Sequence, residues 1–267
     1  MTNPRSAALT ALARRYPEDY KLIYQSIKNG TPIDEVTVAE WANQWMGLRA
    51  QQVRPGSWVS DRSAVRRIVA TSGDRPLTGL QATDIRAVQA AGEKDGLADS
   101  TVTRMHATLQ VMLRAAWEDG HDVPERARKA RMLGVASKPD RHALPVEDAR
   151  KILAVAMTRP DASRWVAAIL QGTRPAEARG LRWTDLDMGA GVMHIEWQLK
   201  PLPYLVAEDR SRGFRIPRGF ESIRLCAAHH LVRPKTSSGV RTVPMVPWLR
   251  TELAAWAAIA PASPYDL

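Results

Sequence analysis

The spacing of apolar residues predicts that the first half of the chain is helical. Between residues 34 and 133, apolar side chains recur every three or four positions in four stretches, which is typical of helices that bury one face. Thr37, Thr83 and Ser100 stand before three of these stretches and are of the types that cap helix starts, and Gly120 is placed to end the last helix. Four amphipathic helices with short connections predict a bundle. The inward-facing residues are Trp41, Ala42, Trp45 and Met46, then Val65, Ile68 and Val69, then Ile85 and Val88, and last Val102, Met105, Leu109, Met112, Leu113 and Ala116.

The pattern changes on either side of this bundle. Residues 1–33 carry a rough helical stripe of leucine, isoleucine and tyrosine that ends at Asn29-Gly30, so we expect an N-terminal helical arm there. Residues 134–143 contain glycine, serine and proline and predict a linker. The sequence therefore predicts four parts: the arm 1–33, a helical domain 34–133, the linker 134–143 and a second domain 144–267.

The second domain mixes helical and strand patterns. Helices are predicted to open at Pro145, at Ser163 and in the segment around Pro175, which suits a first turn, and a last helix runs from Pro247 to about residue 260. A strand is predicted from residue 192 to 197. Two shorter strands, 231–233 and 240–243, flank residues 236–239, which predict a hairpin turn. The fold class is therefore mainly α with a small antiparallel β-sheet.

The charge of the chain suggests a class of partner. The 267 residues include 38 Lys and Arg against 28 Asp and Glu, a net charge of +10. A surplus of this size favours a polyanionic partner, of which nucleic acid is the commonest. Arginine outnumbers lysine 30 to 8, so coding bias is an alternative explanation of the charge.

Other features of the composition exclude several classes. No apolar run approaches the ~20 residues that span a bilayer, and the start of the chain lacks the apolar stretch of a signal peptide. The single cysteine, Cys226, excludes an internal disulfide bond and fits a reducing cytoplasm. Cys226, His229 and His230 have metal-ligand chemistry, but a structural zinc site usually needs further cysteines among its four ligands, so we expect no metal.

Residues 174–185 are the strongest candidate for a chemical site. Arg174 is predicted to lie at the start of a helix, where the amide dipoles favour an anion, and its guanidinium can hold two phosphate oxygens in a bidentate fork. Glu177 lies one turn on and can hold Arg174 in place. The residues alone leave open an ordinary surface Arg–Glu pair, because such pairs are common.

This segment resembles the first conserved box of the tyrosine recombinases and phage integrases. Residues 235–244 are similar to the hairpin that carries the family's catalytic lysine, and residues 97–120 resemble part of its core-binding domain. The resemblance implies a helical, SAM-like core-binding domain followed by a truncated α/β catalytic domain. The residues that match the first box are Arg174, Glu177, Leu181, Trp183 and Asp185.

The resemblance also implies a reaction that uses no metal or other cofactor. In the family a tyrosine attacks the scissile phosphate, arginines neutralise the phosphorane, and a lysine protonates the leaving 5′ oxygen. Arg174 would be the first of these arginines, Glu177 its buttress and Lys235 the general acid. The implied function is site-specific recombination or integration at duplex attachment sites, in the cytoplasm and at the nucleoid of a bacterial host. Full-length relatives assemble as tetramers on DNA, and no membrane is involved.

Five arginines are expected to contact DNA. Residues 198–229 look like an insertion before the lysine, and their arginines fit either a loop that touches the DNA backbone or a solvated loop. The expected contacts are Arg104, Arg210, Arg212, Arg215 and Arg241.

Part of the family's pattern is not matched within residues 1–267. The family has a His-x-x-Arg helix and a nucleophilic tyrosine after the lysine. His230 and Arg233 have the first spacing but precede Lys235 and predict a strand, and Tyr265 follows no suitable helix. We therefore expect this chain alone to be inactive. Two alternatives stay open: a non-catalytic DNA-binding module or regulator, and a degraded prophage remnant.

Overall fold

The protein forms two compact units in a computed structural model, which describes residues 36–134 and 142–265. Among these residues, the first unit comprises 36–53 with 57–134, and the second comprises 54–56 with 142–265. The predicted arm, residues 1–33, lies outside the described residues.

The first unit is built of helices. Four of them are the predicted amphipathic helices, and the fifth, α5, is too short to show a helical period in the sequence. In the described part of this unit the helices are α1 Val38–Gln52, α2 Pro55–Ser72, α3 Ala82–Lys94, α4 Asp99–Glu118 and α5 Glu125–Arg128, with a 3-10 turn at Leu77–Gly79.

The core of the first unit forms where the apolar faces of these helices meet. Trp41, Ile68 and Met112 are among its fully buried side chains. Trp41 Nε1 donates to the backbone oxygen of Met112 at 2.9 Å, which satisfies the one polar group that the indole ring brings into the core. The inward-facing residues predicted from the spacing are confirmed, with Met46 and Val69 at the partly buried edge of the cluster.

Of the three predicted helix caps, only Thr37 is the residue that caps its helix. Thr37 caps α1 as predicted, and it forms a reciprocal capping box with Glu40. The prediction that Thr83 caps α3 is wrong, because Asp84 accepts from the backbone N–H of Gln81 at 2.8 Å and the helix begins at Ala82, two residues earlier than a Thr83 cap implies. The prediction for Ser100 is wrong for a similar reason: backbone hydrogen bonds to the oxygen of Ala98 already start α4 at Asp99.

The second unit combines helices with short strands. Pro145 precedes the first helix and Pro175 opens the third, as predicted, but Ser163 lies inside the second helix, which begins after Asp161. The third helix is a single turn that ends at Ala178. The helices are α6 Val146–Ala156, α7 Ala162–Leu170, α8 Pro175–Ala178 and α9 Pro247–Ile259, and the strands are β1 Leu186–Asp187, β2 Val192–Ile195, β3 Gln198–Pro201, β4 Ser222–Arg224, β5 His229–Val232 and β6 Arg241–Pro244.

The strands form two antiparallel sheets instead of the single small sheet that was expected. Their orders are β1-β2-β6 and β3-β5-β4. The predicted hairpin between β5 and β6 is wrong, because these two strands pair with different partners: β6 pairs with β2, and β5 pairs with β3. Since only Glu196 and Trp197 separate β2 from β3, residues 192–201 form one nearly continuous stretch that β6 and β5 line in succession.

The core of the second unit lies between the helices and the first sheet. Val166 of α7, Met193 and Ile195 of β2, and Leu249 of α9 are its most buried members. Because alternate residues of β2 face this core, the strand shows the alternating burial of a half-buried strand. Of the helices that the structure describes, none has both the length and the apolarity needed to cross a membrane.

Gly180 lets helix α8 approach strand β3 closely. A Cβ atom at this position would lie 2.7 Å from the backbone nitrogen of Leu199 and 3.0 Å from the carbonyl carbon of Gln198. Both neighbours are backbone atoms of a paired strand and cannot move aside as a side-chain end can. Only glycine therefore fits this crossing.

We expect Gly180→Ala to destabilise the second unit by about 1–3 kcal/mol, because an added methyl group in a packed contact forces the backbone to shift. Urea denaturation of the variant and the wild type measures this difference. The control is Gly189→Ala, where the nearest atom to an added Cβ is Asp187 Oδ1 at 3.4 Å, an ordinary contact. Equal stability of the two variants would contradict the assignment.

Candidate functional site

The candidate site is centred on the carboxylate of Glu177. This residue occupies the third position of α8, and its side chain turns back towards the start of that helix. It is 1% exposed. The short helix is set by Pro175 at its first turn and by the close crossing of Gly180 on β3, so Glu177 is held against the second sheet.

Three side chains from three segments donate hydrogen bonds to this carboxylate. Arg174 Nη1 lies 2.7 Å from Oε1, and the backbone N–H of Arg174 donates to Oε2 at 3.0 Å. Arg241 Nη2 of β6 donates to Oε2 at 2.9 Å. Gln198 Nε2 of β3 donates to Oε1 at 3.4 Å. Glu177 thus joins the predicted box to both sheets.

The arrangement leaves positive charge available to an anion. Two guanidinium groups share one carboxylate, so the group has a net charge of +1. The side chain of Arg174 is 65% exposed and that of Arg241 is 29% exposed. Each guanidinium carries five N–H donors and uses only some of them here, so both can also donate to phosphate oxygens. The site has the chemistry of an oxyanion clamp.

The pKa of Glu177 shows which interaction dominates. Burial raises the pKa of this carboxyl group, but the hydrogen bonds from Arg241 and Arg174 and the charge of Arg241 lower it by more, to about 2 from 4.5. Glu177 is therefore an anion at every physiological pH. It acts as a fixed acceptor for the two arginines and not as a proton donor.

Lys235 is exposed on the connection that leads from β5 to Arg241. Because Gln198 pairs with Val232 and Ile195 pairs with Arg241, residues 233–240 leave the ladder opposite Glu196 and Trp197. At the start of this loop Arg233 donates to Glu196 at 2.8 Å and stacks on Trp197.

The lysine loop, residues 233–240, has its last residues packed against its first. Gly239 is buried, and a Cβ atom there would lie 2.5 Å from Pro234 Cβ. Residues 237–239 form a 3-10 turn in place of the predicted hairpin turn. The loop therefore has a defined shape at both ends and presents Lys235 outside the sheets.

The arginines expected to contact DNA are placed differently from one another. Arg104 of α4 donates to the buried Asp61 at 3.3 Å. Arg210 lies over the ring of Tyr204, Arg212 is exposed in the same 3-10 turn, and Arg215 donates to the backbone oxygen of Leu205 at 3.0 Å. Arg210 and Arg212 thus offer exposed charge, whereas Arg215 also holds its own loop together.

Two features of the site were not found from the sequence. Arg241 was expected to contact DNA, but its pairing with Glu177 was not foreseen. Gln198 was not singled out at all. The register of two strands that are 46 residues apart at Ile195 and Arg241 brings these side chains to Glu177, and the local pattern around either residue carries no signal of that pairing.

His230 and Tyr204 both pack on Phe214 beside the second sheet. His230 is 2% exposed in strand β5, and its ring packs against Phe214, so the His-x-x-Arg spacing here belongs to a strand as predicted. Tyr204 stacks on Phe214 beside the second sheet. Within residues 36–134 and 142–265, no group of three or more His, Cys, Asp or Glu side chains is placed to hold a metal ion.

The order and content of the two units define a structural class. A helical unit precedes a mixed α/β unit that contains two small antiparallel sheets. This is the fold of the tyrosine recombinase integrases, and the expected fold class is confirmed, with two small sheets in place of one.

Individual solved structures give the measure of this likeness. The chain is similar to the Tn1549 transposon integrase in complex with transposon right end DNA, with 17% identity and a TM-score of 0.65. It is also similar to a lambda integrase dimer bound to a COC′ core site, with 20% identity and a TM-score of 0.53, and to a lambda integrase tetramer bound to a Holliday junction, with 19% identity and a TM-score of 0.54.

The likeness spans most of this chain but less of its neighbours. The alignments cover 85% of the chain and 66% of the Tn1549 integrase, and 73% and 72% of the chain against 56% and 54% of the two lambda integrase chains. No known family profile and no curated protein matches the sequence. At these identities the comparisons establish the fold.

We expect the stability contributed by Glu177 to disappear in acid. Its folded pKa of about 2 lies below the ordinary 4.5, so this stabilisation is complete above pH 4.5 and is lost as the pH falls through 2. The wild type should lose about 3 kcal/mol more than Glu177→Gln over that range, since one pKa unit corresponds to about 1.4 kcal/mol.

Urea denaturation of both proteins at a series of pH values measures this difference. The control is Glu208→Gln, which changes an exposed glutamate of the same unit and should follow the wild-type curve. Parallel pH profiles for the wild type and Glu177→Gln would contradict the buried-anion assignment.

Proposed function

We propose that this chain is part of a site-specific DNA recombinase of the tyrosine recombinase type, which binds duplex attachment-site DNA and acts in the cytoplasm of a bacterial host. The observation that carries the proposal is the Glu177 carboxylate held between Arg174 and Arg241. Surface Arg–Glu pairs are common, but a buried carboxylate shared by two part-exposed arginines on this fold is a specific arrangement.

In the proposed reaction the two arginines neutralise the charge that develops on the scissile phosphate. A pentacoordinate phosphorane carries more negative charge than the phosphodiester, so donors fixed before the reaction stabilise it selectively. Glu177 keeps both guanidinium groups in place without touching the substrate. Lys235, on its shaped loop, is proposed to protonate the leaving 5′ oxygen, for which an exposed ammonium group is suited.

The proposed partner is duplex DNA, and the proposed assembly on it is a tetramer. The Tn1549 and lambda integrases are DNA-bound in the solved structures, and the lambda integrase forms a tetramer on a Holliday junction. The net charge of +10 supports the same partner. A regulator that binds DNA without catalysis would share this charge but would not need the Arg174–Glu177–Arg241 clamp.

We expect binding to a 30-base-pair duplex to weaken steeply with salt, because each phosphate neutralised contributes about 0.9 to the slope of log affinity against log salt concentration. Arg174→Ala should lower both the affinity and this slope. The variant should also lose about 1–3 kcal/mol of stability, because the buried carboxylate of Glu177 loses one of its donors, but it should remain folded. Fluorescence anisotropy across a salt series measures the affinities.

The matched control is Arg179→Ala at the other end of α8, which removes the same charge from an exposed arginine that donates to the oxygen of Pro175. It should weaken binding less than Arg174→Ala. If the two variants weaken DNA binding equally, Arg174 contributes only general surface charge and the clamp has no specific role in binding. A wild type that does not bind duplex DNA at low salt would refute the proposed function.

We expect residues 1–267 alone to form no covalent link to DNA. Arginines and a lysine stabilise charge and supply a proton, but they do not supply the nucleophile that the reaction needs. The chain is incubated with a plasmid that it has been shown to bind, and the products are separated on a denaturing gel. A protein–DNA adduct that disappears in one of the variants Tyr204→Phe or Tyr265→Phe would overturn this expectation.

A further inference from the structure

Asp61 occupies the same kind of position in the first unit that Glu177 occupies in the second. It lies on α2 and is 5% exposed, so its carboxylate has lost nearly all contact with water. A buried carboxylate is costly unless it is paired, and Asp61 is paired twice. Arg49 at the end of α1 donates from Nε to Oδ2 at 3.0 Å, and Arg104 of α4 donates from Nη2 to Oδ1 at 3.3 Å.

The two arginines differ in their access to solvent. The side chain of Arg49 is 25% exposed, and its guanidinium lies over the ring of Trp45. The side chain of Arg104 is 53% exposed, although the carboxylate that holds it is buried. Arg49 therefore anchors Asp61, and Asp61 in turn orients Arg104 towards the surface.

Arg104 opens onto a groove between α2 and α4. Ser60, Ser63 and Arg67 of α2 line one wall, and Thr101 lies one turn before Arg104 on the other. Hydroxyl groups beside a guanidinium are the donors that proteins use for DNA phosphates. The groove bears the chemistry of a backbone-phosphate site.

We propose that Asp61 is a positioning residue that pre-orients Arg104 for a backbone phosphate of duplex DNA in this groove. The inference rests on the proposed function, because it needs DNA as the ligand. A guanidinium already held in one orientation loses less freedom when it binds phosphate, so an acidic residue here strengthens the binding of a polyanion. The effect has the opposite sign to that of simple charge, which makes it testable.

The experiment compares Asp61→Asn with the wild type on a 30-base-pair duplex of random sequence. If Asp61 acted only through its charge, its removal would tighten binding. As a positioning residue, its loss should weaken binding about eightfold at about 0.1 M salt and reduce the log–log salt slope by about 0.9, the contribution of one phosphate. A loss of stability that leaves the protein folded does not change this slope.

Two further variants separate positioning from charge. Asp74→Asn removes an exposed carboxylate of the same unit that does not line the groove, and it should bind DNA as tightly as the wild type or more tightly. In an Arg104→Ala background, Asp61→Asn should add no further loss of affinity, because the residue that it positions is gone.

If Asp61→Asn fails to fold, Arg49→Lys replaces it, since this variant keeps the net charge and loses the Nε contact that anchors Asp61. It should lower the salt slope in the same direction. Unchanged or tighter binding by Asp61→Asn, or by Arg49→Lys in its place, overturns the positioning role while the wild type still binds. Absence of salt-dependent binding by the wild type overturns the proposed function, and the positioning role with it.

Discussion

The geometry of the second unit depends on the desolvation of one carboxylate. Glu177 has almost no contact with water, and an ion in that position is stable only while its partners remain in place. Those partners come from the residue that precedes α8, from β3 and from β6. A shift of any of these segments would leave a buried negative charge unpaired, so the sheets and the short helix are coupled through this group.

The carboxylate of Glu177 lies where the two small sheets meet, because it accepts hydrogen bonds from a strand of each. The stretch from β2 to β3 is lined first by β6 and then by β5, and the change of partner occurs beside Glu196 and Trp197. Arg241 is the first residue of β6 and Gln198 is the first residue of β3. The two strand residues that donate to Glu177 therefore stand where the strand pairing changes, and the lysine loop leaves the ladder at the same place.

Local patterns in the sequence predicted the parts of this structure that local physics determines. Helical periodicity identified α1 to α4 and their buried faces, because a helix must bury one side whatever lies beyond it. The capping box of Thr37 and Glu40 is also a local feature, because its two residues are only three positions apart. The starts of α3 and α4 were missed by two residues: their N-caps are Gln81 and Ala98, because Asp84 and backbone hydrogen bonds to Ala98 start the helices before Thr83 and Ser100.

The part of the site that depends on long-range strand pairing could not be predicted from the sequence. Arg174 and Glu177 were paired correctly from their spacing, because three residues of helix bring them together. The hairpin between β5 and β6 was wrong, since strands that are neighbours in the sequence need not pair when a longer strand can accept both. Arg241 and Gln198 reach Glu177 only through that longer pairing, which no short window of sequence contains.

The path of the chain through β3, β4 and β5 shows where the protein can be modified without disturbing Glu177. Residues 199–231 run out along β3, return to Ser222, and then run out along β4 and back along β5, so that Gln198 and Ser222 both lie opposite Val232 at the base. The turn between β4 and β5 lies at the far end from this base and carries the exposed Cys226. A fluorescent group attached to that thiol would report on the protein without displacing its clamp, because the strand pairing at the base stays in register.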